Sequence, residues 1–77
     1  MCLNDAPKGT KLKILGIDSG KQLTRKLNSI GLHIDDILIK HEDSNWGPIL
    51  ISLISQESSK LALGRDLAEK ILVEYAN

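Results

Sequence analysis

A chain of 77 residues that is 42% apolar and 26% charged has the composition of an ordinary globular domain, and it has room for only one. A folded chain this short buries only about 60% of the surface its unfolded form exposes, which leaves little scope for an elaborate active site. Ten basic side chains balance ten acidic ones, so no overall field draws the molecule to nucleic acid or any other polyanion.

The first turn signal is Ala6-Pro7-Lys8-Gly9, and Leu3 and Ala6 before it are placed to form a short lid on the core. Thr10 to Ile17 alternates Lys11 and Lys13 with Leu12 and Ile14, the pattern of a half-buried strand. Gly16 near its end marks a bulge or a close backbone approach. Ser19 and Gln22 stand at capping-box spacing and open a helix. Leu23, Leu27 and Ile30 then form its apolar stripe, and Gly31 supplies a left-handed C-terminal residue, so the spacing predicts a helix over Gly20 to Ile30. Arg25 and Lys26 point away from that stripe.

Ile34-Asp35-Asp36 reads as a turn into a second strand, Ile37 to Glu42, and Asp43 to Pro48 as a polar loop. Ile49 to Ser55, ILISLIS, is nearly continuous apolar, as in a strand covered on both faces. Gln56 to Ser59 is a hairpin loop and Lys60 to Leu63 a short fourth strand. The tail from Arg65 to Tyr75 fits two patterns. Leu67, Ala68, Ile71, Leu72 and Tyr75 lie on one helical face, yet Ile71 to Tyr75 also reads as a strand.

Ile (10 residues) and Leu (13) dominate the apolar set, with Trp46 and Tyr75 as the only aromatics, so the expected core is aliphatic. Residues 1–31 hold six basic and two acidic side chains and residues 32–77 four and eight, an asymmetry that a barrel interleaves in space. Cys2 is the single cysteine, which excludes an internal disulfide and a Cys-rich zinc site and fits a reducing compartment. The opening Met1-Cys2-Leu3-Asn4-Asp5 lacks the basic and apolar regions of an export signal, and no apolar run approaches the ~18 residues of a membrane span. The expectation is a cytoplasmic protein with no membrane insertion.

Catalysis needs a nucleophile beside a base, or paired carboxylates in a cleft, and the sequence offers neither. Gly16-Ile17-Asp18-Ser19-Gly20 before a helix lacks the Lys-Ser/Thr pair of a phosphate loop and the third glycine of a dinucleotide fingerprint. His33, His41, Glu42, Asp35, Asp36, Asp43 and Cys2 are ligand types suited to iron or zinc, but no pair has helical i, i+4 spacing; only His41 and Asp43 would share a strand face. The expected set of catalytic residues, cofactors and resident metals is therefore empty. Trp46 stands in a polar loop before Gly47-Pro48, where an indole either anchors a partner or folds back on the core.

Taken in order, Pro7-Lys8-Gly9, Leu23-Thr24-Arg25-Lys26-Leu27 with Ile30-Gly31-Leu32, Gly47-Pro48-Ile49, and Leu61-Ala62-Leu63-Gly64-Arg65-Asp66-Leu67-Ala68 resemble the FeoA family across essentially the whole chain. These proteins are small cytoplasmic components of bacterial ferrous iron transport. Ile34-Asp35 replaces the family's usual Pro-Gly, and Gly64 stands where a basic residue is commoner.

The resemblance implies a mainly β, SH3-like small barrel of about five strands, as one domain over residues 1–77. A helix is inserted between strands 1 and 2, and a short helical turn precedes the last strand. It resolves the tail into a turn at Asp66 to Lys70 and a strand from Ile71 to Glu74. It implies a non-enzymatic accessory protein that contacts the soluble domain of the membrane GTPase that carries ferrous iron, and it allows weak homo-oligomerisation. A similar domain forms the C-terminal part of metal-dependent repressors, but no DNA-binding helix-turn-helix is attached here.

The contact residues expected on this reading are Arg25, Lys26, Leu27 and Trp46, with Leu27 also belonging to the buried stripe. Two other readings stay open. One is a metal-binding carrier or sensor using His33, His41 and nearby carboxylates; the other is an SH3-like peptide-binding adapter.

Overall fold

The computed structural model describes residues 1–18, 20–43, 47–56 and 60–76. Five strands form one antiparallel sheet: β1 (Lys11–Ile17), β2 (Ile37–Asp43), β3 (Ile49–Leu53), β4 (Leu61–Leu63) and β5 (Ile71–Tyr75). Their order is β4-β3-β2-β1-β5, so consecutive strands pair until the chain returns to lay β5 beside β1. Helix α1 (Gly20–Ser29) joins β1 to β2, and the one-turn helix α2 (Arg65–Ala68) precedes β5. This is the expected mainly β arrangement, helix insertion included, and it is consistent with an SH3-like barrel. Among the described residues no ladder joins β4 to β5, and no helix is long and apolar enough to cross a membrane.

Strand alternation builds the core. Leu12 and Ile14 of β1, Leu38 of β2, Ile49, Ile51 and Leu53 of β3, Leu63 of β4, and Ile71 and Val73 of β5 are all buried. Each such aliphatic side chain contributes about 1.5–3 kcal/mol relative to exposure. Ile49, Ile51 and Leu53 on one face of β3 are buried, while on the other Ser52 is buried and Leu50 only half-buried. The strand stops at Leu53, where residues 54–56 turn into a 3-10 segment, two residues short of the span its apolar run predicts.

Two bulges bend the sheet. The pairing of β1 with β5 shifts between Ile14 and Gly16, so Leu15 is the extra residue and is turned out to 45% exposure. The pairing of β2 with β3 shifts between Lys40 and Glu42, with His41 extra. An extra residue breaks the two-residue period. The expectation that His41 and Asp43 share a strand face involves the Asp43 side chain, which lies outside the described residues.

Helix α1 ends as its sequence predicts, with one correction. Gly31 has φ +100°, its N–H bonds to Asn28 O at 3.1 Å, and Leu32 N–H bonds to Leu27 O at 2.9 Å. These are the two bonds of a Schellman motif, whose flanking apolar pair here is Leu27 and Leu32, both fully buried. Ile30 does not continue the stripe. It lies past the helix end and is 42% exposed, because the reversal at Gly31 hands its expected place to Leu32.

The N-terminal segment closes the molecule. Leu3–Asp5 form a 3-10 turn, and Leu3 and Ala6 are buried, which makes the segment the lid that its sequence suggests. Beneath it lies Lys40, a residue with no counterpart in the sequence expectations. Its side chain shares the inward parity of Leu38, is fully buried, and donates through Nζ to Leu3 O at 3.0 Å, Asn4 O at 3.1 Å and Ala6 O at 2.7 Å. An ammonium has three N–H donors, and three carbonyls of one turn receive them. The outer edge of β5 is covered as well. The Met1 ammonium donates to Val73 O at 3.2 Å, Val73 N–H donates to Met1 O at 2.7 Å, and Cys2 bridges to Leu72.

Candidate functional site

The site begins where β1 gives way to α1. Asp18 N–H donates to Lys70 O at 2.7 Å, which holds the end of β1 against the segment leading into β5. A helix that starts two residues later and sinks Leu23 and Leu27 toward the core turns a second face back along the strand exit. At 100° per residue, positions 21, 24 and 25 share that face. Together with Ile17 they line an open groove of about 320 Å³ whose walls are mostly apolar. Ile17 and Thr24 are half-buried, and Lys21 and Arg25 stand exposed at the rim.

The electrostatics of this groove are one-sided. The ion pairs among the described residues are Lys13 with Asp35 at 3.6 Å and His33 with Asp36 at 3.5 Å, and neither involves α1. The first of them joins the basic N-terminal part of the chain to the acidic remainder, and Lys13 also stands opposite Glu74 in the ladder. Charges of both signs therefore interleave on the sheet, while the cations of the helix do not share in that neutralisation.

The expected contact residues separate. Arg25 lies on the groove. Lys26 is exposed, but one position further round the helix and outside the groove lining. Leu27 is fully buried, which corrects its place among contact residues: its side chain is part of the core beneath the surface that Arg25 presents. Trp46 lies outside the described residues, as does the Ser19 half of the capping box. Lys21, Thr24 and Ile17 are missing from the sequence expectation. The i, i+4 spacing of Lys21 and Arg25 was the signal available for Lys21, and the i, i+3 spacing of Lys21 and Thr24 for Thr24; the approach of Ile17 depends on how β1 meets the helix.

Among the described side chains the candidate metal ligands do not converge; those of Glu42 and Asp43 lie outside them. Cys2 Sγ donates to Asp5 Oδ2 at 3.3 Å. His33 N–H donates to Asp36 Oδ2 at 2.8 Å within one turn, and Asp35 faces Lys13. His41 Nε2 is 2.6 Å from Ser52 Oγ across the β2–β3 ladder. Among the described residues, no three His, Cys, Asp or Glu side chains come together as a metal-binding group.

Comparison with known proteins places this geometry. Residues 1–75 match the FeoA domain family. A protein of Methanocaldococcus jannaschii provisionally named Fe(2+) transport protein A is 37% identical over 71 residues, covering 92% of this chain and 82% of its own. The crystal structure of an iron uptake regulatory protein, FeoA, superposes with a TM-score of 0.85 at 28% identity, over 99% of this chain and 97% of that one. A manganese-bound, manganese-dependent transcriptional repressor superposes with a TM-score of 0.87 at 23% identity, over 99% of this chain but only 36% of the repressor. That last likeness is one of fold alone.

Proposed function

This chain belongs to the FeoA domain family, and from that membership we propose that it is an accessory protein of ferrous iron transport that works by docking on the soluble domain of the iron-carrying membrane GTPase. It does so from the cytoplasm and without catalysing a reaction. The observation that supports a docking role is the α1–β1 groove, an apolar channel with Lys21 and Arg25 at its rim. Neither cation is neutralised by an ion pair among the described residues. Long-range charge speeds encounter and sets register, while the apolar floor supplies the desolvated contact.

The test is copurification of the permease's soluble domain with the wild-type chain and with a Lys21→Glu/Arg25→Glu variant. Both positions are exposed, so the variant folds; wild type retains the permease domain and the variant releases it. Equal retention by the two proteins removes the groove from the interface. No retention by wild type removes the permease as partner.

A further inference from the structure

We propose that the groove between α1 and β1 accepts an extended segment of a partner protein in which one aliphatic side chain is flanked by carboxylates. The inference rests on the docking reading and specifies the chemistry of what docks.

Size sets the first limit. About 320 Å³ lies at the small end of ligand pockets, and the site is open to solvent, which suits one inserted side chain of a passing strand of polypeptide. The lining sets the second. Ile17 and Thr24 offer methyl groups, and the stems of Lys21 and Arg25 extend that apolar surface while their charged ends reach solvent. An aliphatic side chain is therefore the natural filling.

Charge sets the third. Lys21 and Arg25 are one helical turn apart, with Cβ atoms about 5–6 Å from each other, so both charges stand side by side on the α1 wall of the groove. Arg25 presents a planar fork that receives a carboxylate through two parallel N–H bonds, and Lys21 adds a mobile point charge. Among the described residues, no acidic side chain is part of the lining. Two cations on a molecule without net charge are too few for a polyanion, since nucleic-acid binding typically draws on about 6–10 phosphate contacts. They match a short acidic peptide instead.

The test uses the full chain, 15N-labelled, titrated with three peptides acetylated and amidated at their ends: Glu-Glu-Leu-Glu-Glu, Lys-Lys-Leu-Lys-Lys and Glu-Glu-Ser-Glu-Glu. The first moves amide resonances concentrated in residues 17–25, and the other two bind about tenfold more weakly or less. In the Lys21→Glu/Arg25→Glu variant, whose dispersed spectrum reports its fold, the preference between the Glu and Lys peptides reverses. Equal binding of the Glu and Lys peptides overturns the proposal, as does a shift pattern centred away from residues 17–25 or tighter binding of a dT oligonucleotide at the same residues.

The docking reading and this one fail separately. If the permease domain copurifies through the groove but no peptide preference exists, docking stands and the acidic-aliphatic chemistry falls. If the preference holds and the permease domain does not copurify, the groove serves a different acidic partner.

Discussion

Replacing Lys40 with methionine tests whether a buried ammonium fastens the N-terminal lid. Methionine keeps most of the stem that fills the space under Leu3–Asp5 and deletes the charged end. The ammonium's bonds to Leu3 O and Ala6 O are buried and the one to Asn4 O is partly so; Leu3 O still accepts the Ala6 N–H at 3.3 Å when they are lost, which leaves the Asn4 and Ala6 carbonyls as the acceptors most affected. At about 1–3 kcal/mol for each of these two acceptors left unpaired, the gross loss is about 2–6 kcal/mol. Against this, the variant no longer desolvates an ammonium, a cost of several kcal/mol that recovers part of the loss. The net expectation is a destabilisation of about 1–3 kcal/mol, and at about 4–8 °C per kcal/mol for a domain of this size Tm falls by roughly 4–24 °C.

Thermal and urea unfolding followed by circular dichroism measure the change. Hydrogen exchange locates it: the Asp5, Ala6 and Val73 amides, which bond to Cys2, Leu3 and Met1 carbonyls, exchange faster first. Lys40→Ala, which also removes the stem, is less stable still, by about 2–3 kcal/mol at roughly 0.8 kcal/mol per methylene. A Lys40→Met protein as stable as wild type, or more stable, refutes the reasoning. The ammonium would then cost as much as its three bonds return.

Gly31→Ala is expected to cost about 1–2 kcal/mol, because φ +100° is a conformation that L residues resist. Nothing lies within 4 Å of the added Cβ, so the loss is conformational, and Gly31→Asn recovers part of it in the same urea titration. Leu27→Ala destabilises by about 2–5 kcal/mol through the cavity it leaves. Arg25→Ala, on the rim, changes stability by less than about 0.5 kcal/mol. Denaturant midpoints for this pair separate packing from contact, and an unaltered midpoint for Leu27→Ala contradicts its place in the core.

Residues whose role is set by neighbours in the chain were readable directly. The alternation of β1, the bulge at Gly16 and the left-handed Gly31 each follow from local sterics, and the structure places all three where those sterics put them. The tail was different: Ile71 to Tyr75 suits helix and strand equally by pattern. What decides it is pairing with β1, a contact between residues some sixty positions apart in the chain, which the family resemblance supplied and periodicity did not.

Lys40 escaped for a related reason. In Ile37-Leu38-Ile39-Lys40 both parities carry apolar residues, so the pattern does not say which face is inward, and a lysine is ordinarily assigned to solvent. Three carbonyls brought from thirty-odd residues away help to make its burial tolerable. The groove has the same character: its cations sit at a helical spacing visible in the sequence, but its floor forms only once β1 and α1 meet.

The cover over β5 has a consequence for how copies of this molecule coexist. A strand edge offers its free amides and carbonyls to any extended chain, and intermolecular ladders of that kind are a route into fibrils. Here the first two residues occupy the partners that a neighbour would seek, in a ladder closed from both directions between Met1 and Val73. Pulling those residues off β5 is expected to bare a strand edge that a second copy could extend, so their pairing with Leu72 and Val73 also guards against association.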